Sequence, residues 1–320
     1  MDAVELSIVT PMYNEEEMID LYFERVQSSL KGVTEHYEIV CINDGSADAT
    51  WVKLVEHARR DSRIKAINLS RNFGKEAALT AGLDMAEGQA VVPFDADLQD
   101  PPELIKTMIE RWRSGFDVVL AKRTDRSHDT LIKRTTSSLF YKLIDRLSDT
   151  PIPENVGDFR LMDRRVVECL KRFPENSRFM KGLFASLGFR ECIVEYARPE
   201  REAGESKWNY FKLYGLAIEG IVSFTSLPLK LWSYIGAFTA LGAFAYGMFL
   251  IIRTLISGID VPGYASLMVA ILFMSGLILM SLGMIGEYLA RVFIEVKGRP
   301  IYIVMDTIGL DKKTDKTSNA

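Results

Sequence analysis

A chain of 320 residues can hold one large domain or two smaller ones, and 39 Lys and Arg against 43 Asp and Glu leave a net charge of -4, which argues against a nucleic-acid partner. The average hides a division. Roughly the first two hundred residues mix charged and apolar types, whereas Leu231 to Ile252 and Val261 to Gly286 carry no charge.

In chain order, Leu6 to Thr10 reads as a buried strand, too short and too soon followed by PMYNE to be a signal peptide. Asn14 with Glu17 three residues later resembles a capping box that opens a helix with Met18, Leu21, Tyr22 and Val26 inward. The plan then repeats. Glu38 to Ile42 is a strand, NDGS turns the chain, and Trp51, Leu54, Val55 and Ala58 mark the inner face of a helix. A third strand, Ile64 to Leu69, ends in SRNFGKEAA, a fourth, Ala90 to Phe94, ends in DADLQDPPE, and a fifth, Asp117 to Ala121, ends in KR. The three cysteines, Cys41, Cys169 and Cys192, lack CxxC or metal-ligand spacing and read as reduced, mostly buried thiols.

Five strands alternating with helices predict an α/β domain with a mostly parallel sheet covered on both faces, its ligand beyond the carboxyl ends of the strands. The unusual residues fall there: Pro11, Tyr13 and Glu15 after the first strand, Asp44 and Ser46 after the second, Arg71 and Lys75 after the third, Asp95, Asp97 and Gln99 after the fourth, and Arg123 after the fifth. Asp95, Asp97 and Gln99 alternate at period two, so an extended backbone turns three oxygen-bearing side chains to one side. Such a set suits Mg²⁺ or Mn²⁺, which prefer hard oxygens and share their coordination with substrate phosphates.

Beyond Asp125 the alternation stops. Thr130 to Leu147 reads as a basic amphipathic helix that suits either an anionic leaflet or a solvated face. Gly157 and Asp158 read as a glycine turn with an acid, a short helix starts near Arg164, and Phe189 to Ala197 is extended. Trp208 to Thr225 reads as an interfacial helix that Pro228 ends. The two charge-free runs exceed the roughly 20 residues of a helical span. Lys207, Lys212 and Lys230 before them and Arg291, Lys297 and Arg299 after them predict that both termini are cytosolic. Glu287 is expected to pair with Arg291 at i+4.

PMYNEE, INDGSAD, SRNFGKEAAL, DADLQDPPE, GDFRLMDRR and AGESKWNYFKL, in this order, resemble polyprenyl-phosphate glycosyltransferases of the inverting, glycosyltransferase-A-fold type. Dolichol-phosphate mannose synthases are similar, and bactoprenol glucosyltransferases more so. The resemblance covers nearly the whole chain. It implies a cytosolic glycosyltransferase domain over 1–200, an interfacial segment over 201–228, a two-helix transmembrane domain over 229–292 and a cytosolic tail over 293–320, seated in the inner (plasma) membrane.

It further implies a nucleotide-sugar donor held by Pro11, Tyr13, Glu15, Asp44, Asp95 and the intervening Ala96, with Asp97 and Gln99 on the metal. The acceptor, a polyprenyl phosphate, falls to Arg123, Arg134, Ser138 and Arg201, with Ser137 and Arg198 as competing counterparts. Arg71 and Lys75 are candidates to assist the leaving diphosphate or are plain helix-surface residues. Asp158 is an orienting group or a base. UDP-glucose is the favoured donor, against GDP-mannose or a UDP-aminoarabinose derivative. A processive polysaccharide synthase is disfavoured by the lack of a QxxRW-like motif, and a nucleotide-sugar-sensing or scaffold subunit is the non-catalytic rival. Gly236, Gly242 and Gly247 permit close helix approach, which leaves a homo-oligomer open.

Overall fold

The computed structural model describes residues 4–124, 156–173, 175, 180–196, 227–257 and 263–310. The chain divides into two compact units. One holds the strands and shorter helices together with the segment after Pro300, and the other holds two long helices.

The first unit is built on strands β1 (Leu6–Met12), β2 (Tyr37–Asn43), β3 (Ile64–Leu69), β4 (Ala90–Pro93), β5 (Val118–Arg123), β6 (Val156–Asp163), β7 (Glu191–Tyr196) and β8 (Val304–Ile308). They form one sheet in the order β7-β5-β6-β4-β1-β2-β3-β8. β1, with sequence LSIVTPM, and β2, with YEIVCIN, are buried almost throughout, as expected of central parallel strands covered on both faces. Helices α1 (Ile19–Leu30), α2 (Thr50–Arg60) and α4 (Leu104–Arg113) pack on one face, and α3 (Lys75–Met85), α5 (Arg164–Leu170) and α6 (Met180–Ser186) on the other. Each fully buried Leu or Ile, such as Leu54 or Ile105, contributes about 1.5–3 kcal/mol of burial free energy. Gly82 lets α3 lie close on the sheet. A Cβ there would stand 2.3 Å from Val9 Cγ1 and 2.5 Å from Ile42 Cδ1, so only glycine allows the approach that brings the start of α3 over the strand ends.

The sheet is mixed rather than mostly parallel. β1 pairs in parallel with β2 and β4, β2 with β3, and β5 with β7, but β6 runs antiparallel between β4 and β5, and β8 antiparallel along β3. The Gly157–Asp158 pair, expected as a turn, lies within β6. Asn14 does not cap α1. It takes φ 54°, its Oδ1 accepts from the Ala47 N–H and its own N–H donates to Ser46 Oγ, while the Met18 and Ile19 N–H groups both donate to the Glu15 carbonyl. All three cysteines are free. Cys41 is buried and its thiol is pushed up by burial, whereas Cys169 and Cys192 are half-buried.

The second unit comprises α7 (Leu227–Ser257) and α8 (Tyr264–Val296). The expectation of two membrane spans is corrected here. Among the described residues one stretch, Phe273–Val296, is long and apolar enough to cross a membrane, and the apolar part of the preceding helix, Tyr234–Phe249, is shorter. Freedom from charge is a looser condition than the roughly 20 continuous apolar helical residues that a bilayer demands. With one qualifying stretch, the two-span arrangement with catalytic domain and both termini cytosolic loses its basis. Glu287 and Arg291 pair as expected, Oε1 to Nε at 3.6 Å. Phe238, Phe244, Leu279 and Phe293 are all more than half exposed, a surface suited to an apolar surround.

Candidate active site

The carboxyl ends of β1 to β4 bring most of the expected donor residues to one edge of the sheet. Pro11 lies in β1, Tyr13 just beyond it is about half exposed, and Glu15 is fixed by its N–H donating to Thr50 Oγ1 at 2.9 Å. Asp44 is almost wholly enclosed. Its Oδ1 accepts from the Phe73 N–H at 2.7 Å and its Oδ2 from the Gly74 N–H at 2.9 Å, so the carboxylate fastens the end of β2 to the loop before α3. Burial raises the Asp44 pKa above the usual carboxylate value against the opposing effect of those two amides. Gly45 makes this junction possible: at φ +65°, a Cβ would lie 2.4 Å from the Arg71 carbonyl carbon. Arg71 stays on the surface of that loop, its guanidinium 4.1 Å from the Phe73 ring centroid and donating to the Asn72 carbonyl.

The aspartate motif is a turn rather than an extended run. β4 ends at Pro93, Leu98 takes φ 51°, and the Gln99 N–H folds back to Asp97 Oδ1 at 3.2 Å. Ala96 and Gln99 are buried and Asp97 is half-buried. Asp95 is engaged by Lys75. Lys75 Nζ reaches Asp95 Oδ1 at 2.8 Å and Asp158 Oδ2 at 2.9 Å. Burial opposes the Lys75 charge, but the two carboxylates outweigh it and hold its pKa well above the ordinary lysine value. For Asp95 burial prevails over Lys75 and raises its pKa.

Whether these residues suit a divalent cation follows from the oxygen set. Among the described residues there is no group of three or more His, Cys, Asp or Glu side chains able to hold a metal ion. The half-buried Asp97 carboxylate and the adjoining Gln99 offer one or two hard oxygens, which fits a cation that takes its remaining ligands from water and a diphosphate.

At the last residue of the motif's acidic run, Arg123 Nε donates to Tyr196 Oη at 3.1 Å, and Tyr196 Oη donates to Asp100 Oδ1. Burial and the neighbouring Asp100 push the Tyr196 phenol up to about 12. Arg160, two residues past Asp158 on β6, is fully enclosed. Its guanidinium lies 4.1 Å from the Phe184 ring centroid and donates to the Gly157 carbonyl at 2.8 Å, and burial lowers its pKa to about 10. Asp100, Arg160 and Tyr196 were not expected from the sequence. Asp100 falls within the DADLQD motif but off its alternation, and Tyr196 ends an edge strand whose partner lies 73 residues earlier. Arg134, Ser138 and Arg201 lie outside the described residues.

Comparison with known proteins agrees with this architecture. Residues 7–171 match the model for glycosyl transferase family 2, and residues 227–292 match that for the GtrB C-terminal hairpin. An uncharacterized glycosyltransferase of Synechocystis is 54% identical over 309 residues, 97% of each chain. The bactoprenol glucosyl transferase of Shigella phage SfII is 50% identical over 94% of this chain and 97% of its own, and a prophage bactoprenol glucosyl transferase homolog of Escherichia coli is 49% identical over 94% and 98%. Carboxylates at the strand ends, a lysine bridging two of them, and this near full-length identity converge: the chain belongs to the family 2 glycosyltransferases, among the inverting polyprenyl-phosphate glycosyltransferases that include the bactoprenol glucosyl transferases.

Proposed function

We propose that this chain transfers glucose from UDP-glucose to the phosphate of a polyprenyl phosphate, undecaprenyl phosphate in the bacterial case, at a membrane. The single observation that carries the reading is about 50% identity, over nearly the full length of both chains, to bactoprenol glucosyl transferases. Direct attack by the lipid phosphate on the anomeric carbon converts an α-linked donor into a β-linked product.

The residues fit that chemistry. Tyr13, Glu15 and Asp44 line the donor edge of the sheet, with Pro11, Arg71, Asp95 and Ala96 beside them. Asp97 and Gln99 are assigned to a divalent cation, Mg²⁺ or Mn²⁺, which when bound supplies positive charge to the leaving diphosphate. The Lys75 ammonium stands by to hold the same negative charge, and its ion pair with Asp158 favours an orienting role for that carboxylate over proton abstraction. Little base is needed, because a phosphate monoester has its second pKa near about 6 and is already largely ionised at neutral pH. What the acceptor needs is positioning, and a planar guanidinium binds phosphate oxygens in pairs. Arg123 is assigned to it by its place at the end of β5, and Arg134, Ser138 and Arg201 by resemblance alone.

The test is transfer of radiolabelled sugar to undecaprenyl phosphate by the purified full-length protein with Mg²⁺ or Mn²⁺, comparing UDP-glucose with GDP-mannose and including Asp97→Ala. Metal-dependent labelling from UDP-glucose, lost in the variant, is the expected result. Labelling from GDP-mannose alone would reassign the donor, and no labelling despite intact nucleotide binding would replace catalysis with a sensing or scaffold role.

A further inference from the structure

Asp100, Arg123 and Tyr196 come from three separate parts of the chain, the loop after β4, the end of β5 and the end of β7, and meet in one hydrogen-bonded set. Arg123 and Tyr196 are register partners, and Thr124 donates from both its N–H, at 3.0 Å, and its Oγ1, at 3.1 Å, to the Tyr196 carbonyl. The two strand ends are therefore fixed to each other independently of the Arg123 and Tyr196 side chains. Tyr196 Oη then accepts from Arg123 Nε and donates to Asp100 Oδ1, while Arg123 Nη2 stands 3.5 Å from that same oxygen. The Phe159 ring meets the Tyr196 ring edge-on at 6.4 Å.

The burial is uneven across the set. Asp100 and Tyr196 are 7% and 8% exposed, whereas the Arg123 side chain keeps 31%. A guanidinium carries five N–H donors in a fixed plane, and here Nε and one Nη2 donor turn inward to the buried pair. Among the described residues no other acceptor for Arg123 is found, so its remaining edge faces outward with its plane already set. An arginine serving only as surface charge needs no enclosed carboxylate and phenol to hold it.

We propose that Asp100 and Tyr196 are positioning residues for the transfer, which aim the outer edge of Arg123 at the acceptor's phosphate and tie that arginine to the loop bearing Asp97 and Gln99. Asp100 directly follows Gln99, so the groups on the donor side and the arginine on the acceptor side share one anchored loop. This rests on the reading above in which Arg123 holds the acceptor.

The experiment is steady-state transfer by the purified full-length enzyme, with KM measured separately for undecaprenyl phosphate and UDP-glucose. Tyr196→Phe keeps the ring against Phe159 and removes both hydrogen bonds. With Arg123 no longer held in its plane, the weakening of one charge-assisted contact to the phosphate predicts an increase of about tenfold in the KM for undecaprenyl phosphate. The KM for UDP-glucose changes by less than about twofold, and Asp100→Asn shifts the same constant in the same direction. An unchanged acceptor KM, or equal increases in both KM values, overturns the proposal. Arg123→Ala separates the two levels. If it leaves the acceptor KM unchanged, the acceptor reading of Arg123 has failed; if it raises that KM while Tyr196→Phe does not, only the positioning role has. Should Tyr196→Phe fail to fold, as read by thermal unfolding, Asp100→Asn decides by the same split.

Discussion

The Lys75 ammonium lies 2.9 Å from Asp158 Oδ2 and 2.8 Å from Asp95 Oδ1, so a single cation at the first residue of α3 joins a carboxylate beyond β4 to one on β6. Removing it takes away the ammonium that Asp95 and Asp158 share at the strand ends. Lys75→Met is expected to weaken UDP binding by about tenfold, and Lys75→Arg to restore part of it. Calorimetry with UDP, which cannot turn over, measures both. Unchanged affinity in Lys75→Met would leave the lysine as a purely structural tie.

The junction between β2 and the loop before α3 is a second point of sensitivity. In Asp44→Asn only one side-chain atom can accept, so one of the Phe73 and Gly74 amides loses its partner. We expect a loss of about 1–3 kcal/mol in stability by urea unfolding, with weaker UDP binding. Gly45→Ala acts at the same place through the backbone, since its Cβ would collide with Arg71 in a conformation that L-residues resist. A variant as stable and as tight-binding as the parent would show that the loop tolerates displacement.

Asp163 supplies a pH-dependent contribution far from the site. It caps α5 by accepting the Arg165 N–H at 2.9 Å and accepts Trp112 Nε1–H at 2.9 Å. Burial opposes its ionisation, but the Trp112 and Arg165 contacts prevail and hold its pKa below the usual carboxylate value. A depressed acid stabilises the fold above its unfolded pKa, about 3.9, and that contribution is lost as pH falls through the lower folded value. Asp163→Ala should therefore cost about 1 kcal/mol at neutral pH, and the difference from the parent should shrink below about pH 4. Urea unfolding followed by far-UV circular dichroism at several pH values reads it; a gap that widened on acidification would contradict the assignment.

The strand after α8 closes an edge of the sheet. β8 runs along β3, the Ser70 N–H donates to the Ile303 carbonyl at 2.9 Å, and Tyr302 Oη donates to Asp84 Oδ2 at 2.8 Å. Ending the chain after Lys297 uncovers the backbone donors and acceptors of β3 immediately before the Arg71 loop. Such a truncation should lower the unfolding temperature and promote self-association, since an unpaired strand edge templates further pairing. Tyr302→Phe alone should cost about 1 kcal/mol.

The local pattern of the sequence determined β1 to β5, α1 and α2, and the placement of Pro11, Tyr13, Glu15, Asp44, Arg71, Lys75, Asp95, Asp97, Gln99 and Arg123 at strand ends. Each of these depends on apolar periodicity and turn residues within a few positions of one another. Their motif order also carried the family. Tertiary structure decided what distance along the chain conceals. Gly157–Asp158 carries turn residues, yet it is drawn into β6 because the gap between β4 and β5 offers backbone partners on both sides. VMDTI, Val304–Ile308, is too short to declare itself a strand and becomes β8 along the edge that β3 presents. The same holds for the site. Lys75 meets Asp158 across 83 residues and Tyr196 meets Asp100 across 96, and such encounters are set by strand order and register, which nothing short-range in the sequence encodes.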